Sequence, residues 1–340
     1  MGKLKSAIAV LILFFVFTGA VLAEEIQLGT VKKVMKETKQ GQVLQVEVDG
    51  KQITIETGAM TTTRKQLYEP GDEVLVSHIK QEQNDIYFIK EYIRSRPLLA
   101  LLAIFILAVI LISGKKGVSS IVGMIISFLI LFYYLLPAIV AGADPINSSL
   151  VTAAFLVPIT FYISHGFNKK TTIAVVSSLL SLVIVTALSV IWIQWAKLTG
   201  FSSEEASFLD VIGNGSFDMR GILLASIIIG SLGVLDDVTI SQVSIVSELR
   251  AVGKQKSSGD IFFHAMRIGQ DHISSMVNTL ILVYTGAALP LFLLFIKNPQ
   301  PFTQVIQYEM IAEEIIRSLI GSIGIILSVP LSTYLASKIE

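Results

Sequence analysis

The sequence predicts an α-helical polytopic membrane protein with about seven transmembrane helices, preceded by a signal peptide and a small extracytoplasmic β module. Three observations carry this. The mean hydropathy is +0.71, with 53% hydrophobic and only 15% charged residues, which lies outside the soluble range. Several apolar runs are long enough to cross a hydrocarbon core of about 30 Å. A polar stretch with strand-like alternation occupies residues 24–93, ahead of the first such run. Charge is balanced at 26 basic against 26 acidic residues, which gives no reason to expect a nucleic-acid partner. Cysteine is absent, which excludes disulfides, thiolate metal sites and cysteine catalysis, and leaves oxygen and imidazole as the available metal donors.

Residues 1–23 have the anatomy of a secretory signal: Lys3 and Lys5, an apolar stretch from Ala7 to Val16, and small residues at Val21 and Ala23 before Glu24. An uncleaved anchor of the same orientation is the alternative. Next, Gln42 to Val48 and Lys51 to Glu56 alternate on either side of Asp49-Gly50, which reads as a hairpin. Glu73 to Ile79 and Ile86 to Tyr92 form a second pair after the Pro70-Gly71 turn. With a first strand around Gln27 to Val34 this suffices for a five-stranded barrel of OB-like or SH3-like type. The module serves either as a cap or as a recruiter of another protein through residues 24–93.

The helical domain, residues 97–340, divides into spans at about 97–113, 117–136, 148–165, 171–192, 221–246, 273–296 and 311–336. Their connections can be checked against charge. Lys115-Lys116, Lys169-Lys170, Arg250, Lys254, Lys256, Arg267 and Lys338 fall on one side, while the longest connection of the other side carries Glu204, Glu205, Asp210 and Asp218. The positive-inside rule therefore puts the C-terminus in the cytoplasm and the β module outside, in agreement with the signal. Trp192, Trp195, Tyr133 and Tyr134 sit where aromatic belts anchor span ends.

The apolar run from Gly221 to Val246 is interrupted by two adjacent acids, Asp236 and Asp237. Ionised groups at membrane depth cost several kcal/mol (roughly 3 or more) unless they meet water, a cation, a proton or a partner, so they are candidate sites. Gly221 to Leu235 spans only about 22 Å of helix, too short to cross before the acids are reached. Gly230 and Gly233, just before them, permit close packing or a broken helix. In an unwound segment both acids can turn toward a cavity; on a tilted or re-entrant helix they lie in the inner headgroup region instead. A second constellation is Asp271, Asn278, Thr279 and Tyr284 on the sixth span, with Asn278 expected beside Asp237 because polar intrusions in apolar spans satisfy one another. Pro290 suggests a kink beyond them.

Other groups read as structural. His264, Asp271 and His272 share a helix face but adjoin a basic loop with no third imidazole, and His165 opens a cytoplasmic loop facing headgroups. Glu313, Glu314 and Arg317 can pair at i, i+3 and i+4. No nucleotide-binding, zinc-protease or serine-hydrolase motif is present, and no nucleophile, base and orienter set can be written, so neither an enzyme nor a cofactor is expected. Finally, Ile229-Gly-Ser-Leu-Gly-Val-Leu235 echoes Ile320-Gly-Ser-Ile-Gly-Ile-Ile326. A parallel repeat is one account, and recurrence of a small-residue packing motif in unrelated helices is the other, which assumes less.

Several stretches resemble the YibE/F family of multi-pass bacterial membrane proteins: Gly142-Ala-Asp-Pro145, His165-Gly-Phe-Asn-Lys-Lys-Thr-Thr172, Gly230-Ser-Leu-Gly-Val-Leu-Asp-Asp237, Ile268-Gly-Gln-Asp271 and Asn278-Thr-Leu-Ile-Leu-Val-Tyr-Thr-Gly286. The resemblance runs from the β module to Gly321-Ser-Ile-Gly324 and Val329-Pro330. It implies a permease-like protein of the bacterial cytoplasmic membrane with no named substrate. It also implies that the acid at Asp237 is the recurrent one, so that a paired acid at Asp236 departs from the pattern. The expected function is an ion-coupled secondary transporter in which Asp237, helped by Asp236 and Asn278, binds a proton or monovalent cation. The alternative is a non-catalytic membrane scaffold whose outer β module recruits a protein.

Overall fold

Strand alternation and turn chemistry build the N-terminal unit. In the computed structural model, which describes residues 25–37, 41–57, 67–80, 85–253, 257–297 and 300–339, β1 (Glu25–Glu37), β2 (Gln42–Val48), β3 (Lys51–Glu56), β4 (Glu73–Lys80) and β5 (Asp85–Tyr92) form one antiparallel sheet. The signal segment expected at 1–23, residues 81–84, and Lys254 and Lys256 lie outside the described residues. The sheet order is β3-β2-β1-β4-β5. β1 is longer than expected because it is central: Glu25 to Thr30 pairs with β4 and Gly29 to Glu37 with β2. The β2–β3 turn falls at Asp49 and Gly50, both at positive φ (48° and 77°), which is the two-residue hairpin signature. Among the described residues β3 and β5 are edges without a ladder between them, so the finding is a sheet.

One face of that sheet is apolar. Val31, Leu44, Val46, Val48, Ile55, Tyr68, Val74 and Val76 form its core. The register fits only because residue 29 is glycine: a Cβ there would stand 2.8 Å from Val46 Cγ1 and 2.9 Å from Val76 Cγ2. Gln42, buried beside this core, donates to the Tyr68 carbonyl at 3.2 Å and accepts from the Tyr68 N–H at 2.7 Å, tying the approach to β4 onto β2.

The remaining elements are helices: α1 (Ser95–Ile130), a π-helical turn at Leu131–Leu135, α2 (Leu136–Val140), α3 (Pro145–His165), α4 (Lys169–Trp195), α5 (Glu204–Ile212), α6 (Met219–Val252), α7 (Ser258–Ala287), α8 (Leu289–Lys297), α9 (Phe302–Val305) and α10 (Glu309–Ile339). Among the described residues five helical runs are long and apolar enough to cross a membrane, and a sixth arises if α7 and α8 form one bent span. This is fewer than the expected seven because residues 95–140 form one run of 46 residues. Its regularity fails at Gly114, where φ 55° and ψ −129° suit only glycine. The bend expected at Pro290 is present: α7 and α8 meet at 62°, since proline has no N–H to continue the ladder.

Helix starts are fixed by polar caps. Asn168 accepts from the Thr171 N–H at 2.9 Å, Asp218 from the Gly221 N–H at 2.9 Å, and Ser257 and Asp260 form a reciprocal capping box. Within the unit from Ile112 onward, α6 is the centre. It packs against α3, α4, α7 and α10, while α4 and α7 each also pack against α10. The core between them includes Val157, Leu182, Val185, Leu224, Ile228, Leu232, Leu235 and Ile320.

Candidate functional site

The two acids sit on an unbroken helix. α6 is helical from Met219 to Val252, so the broken-helix expectation at Gly230 and Gly233 is not met. Backbone carbonyls there remain in the i to i−4 ladder, and the glycines instead leave space. A Cβ on Gly233 would meet nothing within 4 Å, and one on Gly230 only the Tyr284 hydroxyl at 3.9 Å.

Successive helical residues turn by about 100°, so the acids point different ways. Leu235 and Val238 on either side are each 1% exposed, Asp236 is half-buried and Asp237 is exposed. Asp236 Oδ1 accepts a hydrogen bond from Ser178 Oγ of α4 at 2.6 Å, a length typical of a hydroxyl on a carboxylate.

Two cavities meet at Asp236. The first, about 360 Å³, is lined by Thr160, Ser164 and His165 of α3 and by Asp236, Asp237, Ser241 and Ser244 of α6, with Phe161 and Ile240. The second, about 490 Å³, is lined by Ser120, Gly123, Ser127, Leu156, Ile229, Gly233 and again Thr160, Ser164 and Asp236. The three shared residues make Asp236 the junction. Gly123 brings α1 beside α3 here, where a Cβ would lie in van der Waals contact with Ser164 Oγ at 3.4 Å. Several lining hydroxyls donate their proton to their own helix: Thr160 to the Leu156 carbonyl at 2.9 Å, Ser244 to that of Ile240 at 2.6 Å, and Ser127 to that of Gly123 at 3.0 Å. An oxygen whose proton is so engaged offers only lone pairs to the cavity. Together with two carboxylates these walls suit a cation or a proton-carrying water.

The second constellation does not join the first. Asn278, Thr279 and Asp271 are exposed on α7, and among the described residues Asn278 makes no hydrogen bond to either acid. The reason is angular. Leu280 turns toward Val238, Ile325 and Val329, and Asn278, two residues earlier, lies about 200° round the helix. Thr279 donates to the Ser275 carbonyl at 2.9 Å. Tyr284 alone of this group reaches α6, packing near Val238 and Gly230. His264 bonds the Asp260 carbonyl at 2.7 Å. Arg317 pairs with Glu314 at 2.8 Å and with Glu313, as its spacing suggested.

Sequence reasoning missed Ser178, Thr160 and Ser164, and read His165 as facing headgroups where it lines the first cavity. The signal for Ser178 was present as Ser177-Ser178 and Ser181 within an otherwise apolar span. It also missed Gln242, 1% exposed, whose amide donates to the Ala265 carbonyl at 3.0 Å and to Thr333 Oγ1 at 2.7 Å, joining α6 to α7 and α10.

No curated protein and no solved structure matches this chain. A family model does, that of YibE/F-like protein, over residues 101–340. That match takes in every helix around the two acids and most of the chain, and the protein belongs to the YibE/F-like family.

Proposed function

We propose that this protein is an ion-coupled secondary transporter or permease of the bacterial cytoplasmic membrane, with Asp236 as the residue that takes the proton or monovalent cation and Asp237 as its neighbour at the cavity mouth. The observation that carries the reading is the carboxylate at the junction of two cavities lined by hydroxyl oxygens. An acid there is costly unless it is used, and two cavities meeting at one ion site give that ion two approaches, as alternating access needs. No nucleotide motif is present, so the driving force in this reading is the ion gradient or the membrane potential.

The reading includes seven crossings. The 46-residue run from Ser95 to Val140 is about 69 Å long at 1.5 Å per residue, roughly twice the hydrocarbon core. Gly114, followed by Lys115 and Lys116, supplies the cytoplasmic turn between two crossings. The β module then lies outside and Lys338 inside.

The test is uptake into liposomes under an imposed proton or cation gradient. Wild type moves the ion; Asp236→Asn, inserted and folded to the same level, does not, while Asp237→Asn retains part of the flux. Undiminished flux in Asp236→Asn sinks the assignment. A scaffold role is the second reading, favoured by Ile26, Leu28 and Ile79 standing 52%, 67% and 43% exposed on the β module. It predicts that Asp236→Asn changes abundance and not flux, and that residues 24–93 retain a partner protein on affinity capture.

A further inference from the structure

The segments Ile229 to Leu235 and Ile320 to Ile326 stand 91 residues apart, and the same spacing governs the helices around them. Shifted by 91, α4 (Lys169–Trp195) becomes 260–286, against Ser258–Ala287 for α7, and α6 (Met219–Val252) becomes 310–343, against Glu309–Ile339 for α10. Side chains at this spacing meet where α6 and α10 touch. Gln242 donates to Thr333, its counterpart, at 2.7 Å. Val238 and Val329, 1% and 0% exposed, share one apolar cluster, in which Val234 and Ile325 also pack. Positions 234, 238 and 242 follow at one turn each, so the two helices run parallel and in register.

The outer pair obeys the same relation. α4 lies on both α6 and α10, and α7 on both α10 and α6. Ser178 and Gly269, again 91 apart, both face the seam helices: Ser178 bonds Asp236, and a Cβ on Gly269 would stand 2.6 Å from Val329 and 3.0 Å from Gln242. Chance recurrence of a glycine motif fixes no such register. At the position equivalent to Asp236 the second half has Leu327.

We propose that α4–α6 and α7–α10 are two copies of one helical hairpin about a pseudo-twofold line along the α6–α10 seam, that the ion site survives in the first copy only, and that the seam, pinned by Gln242, is the fixed hinge of the molecule. The hinge role rests on the transport reading; the repeat does not.

The chain has no cysteine, so introduced pairs report alone. In the full-length protein in membranes, V238C/V329C forms a disulfide on oxidation, seen as a gel-mobility shift. V238C/A336C, two turns and about 10 Å out of register, does not. Equal cross-linking of both pairs, or of the second only, overturns the repeat; V234C/I325C carries the same expectation if the valine pair is not produced. In liposomes, cross-linked V238C/V329C keeps its ion uptake within about twofold of the reduced form, as a rocking motion about a fixed axis requires. Loss of uptake restored by reduction overturns the hinge. A wild type that moves no ion removes the transport reading and the hinge together, while the cross-link pattern still decides the repeat.

Discussion

At the scale of single residues, the Ser178–Asp236 bond is the contact with the most to lose. A hydrogen bond to a charged group contributes about 1.5–3 kcal/mol, so in the transport reading Ser178→Ala is expected to weaken coupled flux about ten- to hundredfold. Ser178→Thr, which keeps the hydroxyl, is expected to retain most of it; equal loss in both variants argues for packing and against the bond. Outside the membrane, burial, with Tyr92 beside it, pushes the Tyr68 phenol up to about 12. An unfolded tyrosine loses its proton near pH 10, so from there to about pH 12 the unfolded chain holds fewer protons than the folded one. The β module therefore keeps its full stability below pH 10 and loses it as the pH rises toward 12. Tyrosinate absorbance alongside circular dichroism in the whole protein checks this, and Tyr68→Phe is expected to flatten the loss.

At the scale of elements, Gly29 and Gln242 set how closely neighbours fit. Gly29→Ala forces a methyl group between Val46 and Val76 and is expected to destabilise the sheet by about 1–3 kcal/mol, seen as earlier proteolysis of the module on heating. Gln242→Leu removes the amide bonds to Thr333 and to the Ala265 carbonyl and is expected to lower the melting temperature of the detergent-solubilised protein, at about 0.5–1.5 kcal/mol per bond lost. The strands could be read from sequence because their causes are local: Asp49-Gly50 makes its turn with neighbours. The bond between Ser178 and Asp236 joins residues 58 apart, and nothing in either span alone says which helix the acid will face. Asn278 failed for the same reason. Its polarity was legible, but its direction depends on Leu280 winning the place against α6 and α10. Gly230 and Gly233 were legible as positions for close packing or a helix break; with no side chain they leave open space beside the acids instead. Their helix stays whole because an apolar bundle leaves a broken ladder with no other partners.

At the scale of the whole helical unit, the seven spans read from the sequence stand against five or six runs among the described residues, since a single glycine at 114 decides whether 46 residues are one run or two. The charged residues at the start of α10 reach further than their pairing suggested. Glu309 accepts from the Thr199 N–H at 2.5 Å, the Thr199 hydroxyl at 2.9 Å and the Gly200 N–H at 2.8 Å, and Ser202 donates to Glu313. These bonds buckle the loop after α4 to the first turns of α10. The two helices are thus clasped at one end, like the closed end of a clothes peg, and the polar space around Asp236 lies toward the other. In the transport reading, opening starts at that other end, beside His165 and Ser244, and the clasped end yields only after a carboxylate has let go of two backbone amides.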